Sequence, residues 1–476
     1  QTSENLMDAI KKTLKELEGT WALVIIDQND PDTLYICKKG SPILVGISDE
    51  MCIVSSESSG FSNYLRNYHK VMDDEIIKIS LENNKIKFYI DDKLSELSTH
   101  NIIEQTLHAH TPDPFPHWTL KEIMEQPLAA FRALNQGGRI LNSNQVNLGG
   151  LKNHKSSLME IDHLTIIASG TSGFAALIGQ KYFQEISGFD TVRYVEPSEF
   201  NLTHDIARNN AGILLLSQSG ETRDVYKCME KIRYDRPDVP IFSIINVVES
   251  LIAREADCGV YLNAGREVGV ASTKSFTNQV VVLILMAIWF AQVRNLSPMI
   301  RSKMIQGLFN MQTTIEKTLK DMIIPSEKIV SYLLNQDHLF ILGKGKGFHV
   351  AQEGALKIKE LSYLHAEAYP SGSLKHGPLA LITDGTPVIL IRQGTSEILE
   401  SIDIAAEEIK ARGGYVIAIT SQNSKIYDQQ ILVPHDITLG PILANIPLQY
   451  IAYSLSNKLG YNPDYPRNLA KCVTVE

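Results

Sequence analysis

The chain has 476 residues, 44% hydrophobic and 21% charged; at about 150 residues per domain this suggests roughly three domains with ample cores, and makes disorder, collagen and coiled coil poor readings. A formal net charge of −9 argues against a general nucleic-acid binder, which carries a basic surplus, but leaves room for a local site for an anionic small molecule. The five cysteines are scattered, odd in number and include no Cys-x-x-Cys pair, so neither a disulfide framework nor a zinc knuckle is favoured and a reducing, cytoplasmic compartment is expected.

The N-terminus, Gln1-Thr2-Ser3-Glu4-Asn5, has no initiator Met and no basic region followed by an apolar stretch, so it reads as the start of a processed or incomplete chain, not as a signal peptide. Leu6 to Leu17 has helical apolar spacing. Strand-like runs follow at Trp21 to Ile26, Ile43 to Ile47, Met51 to Ser55 and Glu75 to Ile79, with turn chemistry at Asn29-Asp30-Pro31-Asp32. Residues 1–105 form one unit on this reading. Residues 106–135 hold a linker, Thr111-Pro112-Asp113-Pro114-Phe115-Pro116, and the start of a different pattern. His108-Ala109-His110 is the one close histidine pair and reads as linker, so no metal is expected.

From there strands and helices alternate, and the pattern occurs twice. Leu164 to Ala168 runs into Ser169-Gly170-Thr171-Ser172-Gly173, and Leu339 to Leu342 runs into Gly343-Lys344-Gly345-Lys346-Gly347, with the lead glycines 173 positions apart. Ser217-Gln218-Ser219-Gly220 aligns with Ile391-Arg392-Gln393-Gly394 at an offset of 174, Ile244-Ile245-Asn246 with Ala418-Ile419-Thr420 at 174, and Pro197-Ser198 with Pro370-Ser371 at 173. Two related α/β units are expected, 136–295 and 296–476, each a doubly wound parallel sheet flanked by helices. The longest apolar run, Val280 to Ala291, is short of the about 18–20 residues a membrane span needs and reads as a buried helix.

In open parallel sheets, ligands bind at the carboxyl ends of strands. Ser217-Gln218-Ser219-Gly220-Glu221-Thr222 directly follows the apolar strand Ile213 to Leu216 and precedes a helical pattern through Val225, Met229 and Ile232. Its hydroxyls, amide and free backbone N–H groups suit a phosphate; an ordinary Ser/Thr helix cap is the competing reading, and Thr171-Ser172 at the end of a neighbouring strand tilts the balance toward phosphate. The second copy has Ile391, Arg392 and Gln393 instead, so the expected division is that copy one grips and copy two reacts. In copy two, Lys357 and Glu360 share a helix face; a surface ion pair is the bland reading. His376 precedes Gly377-Pro378 and is expected in a loop. A Glu can carry a proton between adjacent carbons, a His can open a sugar ring, and Lys471 near the C-terminus can either form a Schiff base with a ketose or lie in a solvated tail.

These stretches resemble a known family. Leu216 to Thr222 is similar to the phosphosugar motif of sugar isomerase (SIS) domains. Together with Glu267-Val268-Gly269-Val270-Ala271-Ser272-Thr273-Lys274, Glu353-Gly354-Ala355-Leu356-Lys357, His365 to Tyr369, Leu374-Lys375-His376-Gly377-Pro378 and Pro466-Arg467-Asn468-Leu469-Ala470-Lys471-Cys472-Val473-Thr474-Val475-Glu476, it resembles the glucosamine-6-phosphate synthase family, the isomerising glutamine–fructose-6-phosphate transaminases, from about residue 117 to the end. Residues 1–100 resemble the later part of that family's glutaminase domain, an α+β N-terminal-nucleophile hydrolase, on Asp32-Thr33-Leu34 and Gly40-Ser41-Pro42-Ile43-Leu44.

The resemblance implies that Thr171, Ser172, Ser217, Gln218, Ser219 and Thr222 bind the sugar phosphate and that Val270 and Ser272 line the sugar. It implies that Lys471 forms the Schiff base, that Glu360 moves a proton from C1 to C2 with help from Lys357, and that His376, from a neighbouring subunit, opens the ring, hence at least a homodimer. Ser169 stands where the family usually has Cys. No cofactor, nucleic acid or membrane is implied; the partners are fructose 6-phosphate and glutamine or ammonia. The family's glutaminase nucleophile is an N-terminal Cys, whereas position 1 here is Gln1, so isomerisation and ammonia-dependent amination are the activities expected of this stretch by itself. A catalytically idle sugar-phosphate-binding regulator is the second reading.

Overall fold

The computed structural model describes residues 6–18, 21–39, 43–48, 51–55, 65, 67–72, 75–82, 85–91, 93–95, 100–101, 111–248 and 250–471. The chain divides at His110/Thr111 into two compact units. Gln1, Gly40-Ser41-Pro42, the His108–His110 pair and Cys472 to Glu476 lie outside the described residues.

In the first unit, alternation along the strands builds three layers. A five-stranded antiparallel sheet has the order Trp21–Asp27, Asp30–Lys39, Ile76–Glu82, Lys85–Ile90, Lys93–Leu94. Successive side chains on a strand point to opposite faces. Tyr35 and Cys37 therefore pack with Met7 and Ile10 of the helix Leu6–Leu14, while Leu34 and Ile36 pack with Ile43 and Val45 on the other face. Val45 belongs to a second antiparallel sheet, ordered Cys52–Ser55, Leu44–Ile47, Asn67–Lys70, His100–Asn101. This antiparallel α+β layering agrees with part of a glutaminase-type domain. The turn expected over Asn29 to Asp32 is tighter than that: the chain reverses at Gln28-Asn29, where the Asn29 N–H donates to Asp27 Oδ1 at 2.9 Å. Asp30-Pro31-Asp32 instead begins the strand Asp30–Lys39, which the sequence reading missed because its exposed, turn-like start hides the apolar run behind it.

In the second unit, the repeat appears as two sheets of identical order. The first runs Thr191–Val195, His163–Ile167, Ala211–Ser217, Ile241–Ile245, Cys258–Tyr261; the second runs His365–Pro370, His338–Gly343, Pro387–Arg392, Tyr415–Thr420, Gln429–Leu432. All pairings in both are parallel. Helices cover both faces of a parallel sheet, so its central strands are apolar throughout; every residue of Ala211–Ser217 is buried. In each sheet the chain steps outward in opposite directions from its first strand, and a crevice opens there at the carboxyl ends. In the first sheet the segments after Ile167 and Ser217 flank that crevice.

The two copies share one continuous core. The helix Lys346–Ser362 presses its Gly354 against Leu448 of the helix Gly440–Lys458, so closely that a Cβ there would fall 2.4 Å from Leu448 Cδ1. The same helix carries Glu353, Lys357 and Glu360 together on another face. Among the described residues, one helix is long and apolar enough to cross a membrane, Lys274–Val293, and 89% of its apolar window is buried inside the unit. It begins earlier than the run Val280 to Ala291, and donors of its polar first turns are bonded inside the unit: Thr277 donates to Gln126 Oε1 at 2.5 Å, and Asn278 to the carbonyls of Ala129 and Leu262 at 2.9 and 3.0 Å.

Candidate active site

The hydroxyl segment after Ala211–Ser217 folds back on itself. Ser217 Oγ is 2.9 Å from Thr222 Oγ1 and accepts the Gly220 N–H at 3.0 Å; Ser219 Oγ accepts the Glu221 N–H at 3.1 Å. Thr222 is the residue before the helix Arg223–Asp235, yet its side chain makes no capping bond to that helix. The ordinary cap reading is therefore corrected: the Thr222 hydroxyl turns toward Ser217 across the mouth of the loop. Gly220 has φ +68°, and a Cβ there would lie 2.0 Å from Ser250 Oγ and 2.8 Å from Ile245 Cγ2. Gly220→Ala is expected to displace the loop, costing about 1–3 kcal/mol of stability, which urea melts check.

Thr171 and Ser172 open the helix Gly170–Ile186 at the end of the neighbouring strand. Ser172 Oγ accepts from Gln279 Nε2 at 2.8 Å. Thr171 Oγ1 accepts from Lys357 Nζ at 2.9 Å and donates to Glu353 Oε1 at 3.4 Å. Copy one's cradle is thus joined to copy two by a side-chain network.

That network corrects the surface-pair reading of Lys357 and Glu360. The Lys357 side chain is 1% exposed; its Nζ is 2.5 Å from Glu360 Oε2 and 3.7 Å from Glu353 Oε1. Burial opposes the Lys357 charge, but the ion pair with Glu360 outweighs it and keeps the ammonium. Glu353 has a different fate. Burial, reinforced by the Glu360 charge, pushes its carboxyl up to about 8, so at neutral pH it is a neutral acid beside a Lys–Glu ion pair. Between its unfolded value of 4.5 and about 8 the folded chain holds a proton that the unfolded chain has lost, so stability from this group is present at low pH and declines as pH rises through that window. Glu353→Gln mimics the neutral acid. Relative to wild type it is expected to gain stability between pH 5.5 and pH 8.5, by about 1–3 kcal/mol; urea melts at the two pH values measure it, and parallel curves would refute the neutral acid.

Lys471 is likewise not a solvated end. Its Nζ donates to Glu267 Oε2 at 2.7 Å and to the Gly269 carbonyl at 2.8 Å. Glu267 is buried, and its Oε1 accepts the N–H groups of Thr273 and Ser275 at 2.9 and 3.1 Å. Burial raises its pKa, but Lys471 and those N–H groups prevail and hold it down at about 2. The loop between Glu267 and Thr273, which carries Val270 and Ser272, is pinned from two more sides. Glu122 Oε1 accepts the Val268 N–H at 2.5 Å, and the Val270 N–H donates to the Asp464 carbonyl at 3.1 Å. Burial and the Glu267 charge push Glu122 up to about 8. Asn246 ties the segment just before this loop to the cradle, accepting from Ala264 N at 2.9 Å through its side chain while its own N–H donates to the Gln218 carbonyl at 3.2 Å.

The side chains of Gln218 and Ser272 join none of these hydrogen bonds, and neither does His376. It is exposed at the end of the 3-10 segment Ser371–His376 and makes no hydrogen bond or ion pair within the described residues. Sequence reasoning did not single out Glu353, Glu267 and Glu122 as candidate site groups. Glu353 alone had a local signal, lying four residues before Lys357 on the same helix face. No cluster of three or more His, Cys, Asp or Glu with metal-binding geometry occurs among the described residues.

The SIS domain family matches residues 157–289 and again 332–457. The chain is 36% identical over 466 residues to a probable glutamine–fructose-6-phosphate aminotransferase (isomerizing) of Acanthamoeba polyphaga mimivirus, covering 97% of this chain and 75% of that protein. It is 34% identical to the glutamine–fructose-6-phosphate aminotransferase (isomerizing) of Clostridium acetobutylicum, covering 99% and 77%. The chain belongs to this aminotransferase family. Among solved structures, the C-terminal domain of glucosamine-fructose-6-phosphate aminotransferase from Francisella tularensis superposes with a TM-score of 0.69 at 31% identity, covering 75% of this chain and 100% of that one. The aminotransferase family's two SIS domains are the two sheets described above.

Proposed function

We propose that the chain converts fructose 6-phosphate into glucosamine 6-phosphate, combining amination with ketose–aldose isomerisation, with nitrogen supplied as ammonia or by glutamine. One observation carries this reading: the Lys357–Thr171 hydrogen bond of 2.9 Å, which sets a Lys–Glu pair from copy two against the hydroxyl cradle of copy one. Ser217, Gln218, Ser219, Thr222, Thr171 and Ser172 hold the phosphate, and Val270 and Ser272 line the sugar. His376 of a neighbouring subunit opens the ring, which accounts for its exposure here and makes the functional unit at least a homodimer.

Lys471, freed from Glu267 and deprotonated, adds to the C2 carbonyl and expels water, giving a Schiff base. Ammonia displaces the lysine amine. Glu360 then removes the carbon-bound proton from C1 and returns it at C2, while the C1 hydroxyl proton passes to the imine nitrogen, leaving an aldehyde at C1 and an amine at C2; Lys357 holds that carboxylate in place. The domain division 1–105, 106–135, 136–295 and 296–476 goes with this reading and is supported by the two SIS matches and the break at His110/Thr111. So does a cytoplasmic location, supported by four free cysteines among the described residues.

The purified chain with fructose 6-phosphate is expected to release glucose 6-phosphate, and with ammonium present to release glucosamine 6-phosphate. Tight fructose 6-phosphate binding with neither product would overturn the enzyme in favour of a regulator.

A further inference from the structure

Copy two has lost the hydroxyl cradle after its third strand. There Arg392 is held by Asp403 through two hydrogen bonds of 2.7 and 2.8 Å and offers no phosphate grip. An open cleft of about 420 Å³ nevertheless lies elsewhere at the carboxyl edge of the second sheet. It follows the strands His338–Gly343 and His365–Pro370, at the N-terminus of the 17-residue helix Lys346–Ser362. Lys344 and Gly345 come from the glycine-rich segment, Lys181 from the copy-one helix Gly170–Ile186, and Ser371 from the segment after His365–Pro370.

Three features make this cleft anionic in its preference. No acidic side chain lines it; the nearby Glu185 is already taken by Lys346 at 2.7 Å. Neither Lys181 nor Lys344 has an ion pair among the described residues, so two positive charges face the opening uncompensated, reinforced by the positive end of the helix dipole. The third is independent of charge. Ser371 is 2% exposed, and its hydroxyl has no hydrogen-bond partner. A buried, unsatisfied hydroxyl costs about 1–3 kcal/mol, and a ligand oxygen in the cleft would satisfy it. The volume lies within the about 300–1,000 Å³ of small-molecule sites, and Phe348 supplies an apolar wall.

We propose that this cleft is a second site for a phosphoryl group, separate from the cradle at Ser217, held by Lys181, Lys344 and Ser371. The chemistry fits inorganic phosphate and a sugar phosphate ester alike. The test is equilibrium dialysis of the full chain with radiolabelled inorganic phosphate, followed by competition with glucosamine 6-phosphate. Wild type is expected to bind two equivalents per chain. Ser217→Ala/Ser219→Ala is expected to retain one, and Lys181→Gln/Lys344→Gln to retain the other while keeping fructose 6-phosphate isomerisation. Ser371→Ala, a smaller change, should weaken the second equivalent about tenfold, the order of one lost hydrogen bond to a charged group. Displacement of the second equivalent by glucosamine 6-phosphate at far lower concentration than by unlabelled phosphate identifies a sugar ester; equal potency identifies the phosphoryl group alone. A single equivalent in wild type, or two equivalents surviving Lys181→Gln/Lys344→Gln, overturns the proposal.

Discussion

Glu360→Gln is expected to slow fructose 6-phosphate isomerisation by about 10²- to 10⁴-fold, the usual worth of a positioned general base. The substitution preserves shape and one acceptor oxygen, so the Lys357 contact weakens but is not emptied. The hydroxyl cradle proposed to hold the phosphate is built from other elements, at the ends of the strands His163–Ile167 and Ala211–Ser217, so the fructose 6-phosphate KM should stay within about threefold of wild type. Steady-state kinetics read this split directly. A variant that loses KM and keeps kcat would move Glu360 from proton transfer to binding. Deuterium at C1 of the substrate sharpens the test: wash-out to solvent should fall with kcat if Glu360 is the base.

Lys357→Met is expected to destabilise the chain by about 3–5 kcal/mol, because it strands a carboxylate whose only close cation is gone. The buried ammonium has Glu360 at 2.5 Å, Glu353 at 3.7 Å and Thr171 at 2.9 Å. Removing it leaves Glu360, with a side chain 20% exposed, without its ion-pair partner. The double variant Lys357→Met/Glu360→Gln carries no stranded charge and should recover about 1–3 kcal/mol of that loss, a coupling of the size seen for contacting groups. Urea melts of wild type, both single variants and the double variant close the cycle. Additive losses would show that the pair is a solvated surface contact after all. The pair also links the two copies through Thr171, so Lys357→Met should raise the phosphate dissociation constant as well, a consequence that a purely local destabilisation would not have.

Several parts of this molecule are legible in local sequence because local chemistry causes them. The constant offset near 174 between two strand-and-glycine patterns announces two α/β units, and both sheets have the same strand order. Helical spacing at Val225, Met229 and Ile232 becomes the buried face of Arg223–Asp235. The strand Asp30–Lys39 was hidden because its solvent-facing first residues read as a turn, and only pairing with Trp21–Asp27 and Ile76–Glu82 makes them strand.

By itself, the sequence determined the repeat, the position of the hydroxyl cradle at a strand end, and the residue types available for proton transfer, since each depends on spacing within a few neighbours. Tertiary structure decided which charges are buried. Lys357 and Glu360 look like any helical ion pair until the approach of Thr171 and the burial of the lysine side chain set them apart. Glu353 becomes a neutral acid and Glu267 a firmly ionised one, although both are buried glutamates, because Glu267 receives Lys471 at 2.7 Å and two backbone N–H groups while Glu353 has only a distant lysine and one hydroxyl. A carboxyl's charge is set by what stands around it in space, and partners up to 204 residues away along the chain leave no mark on its local sequence.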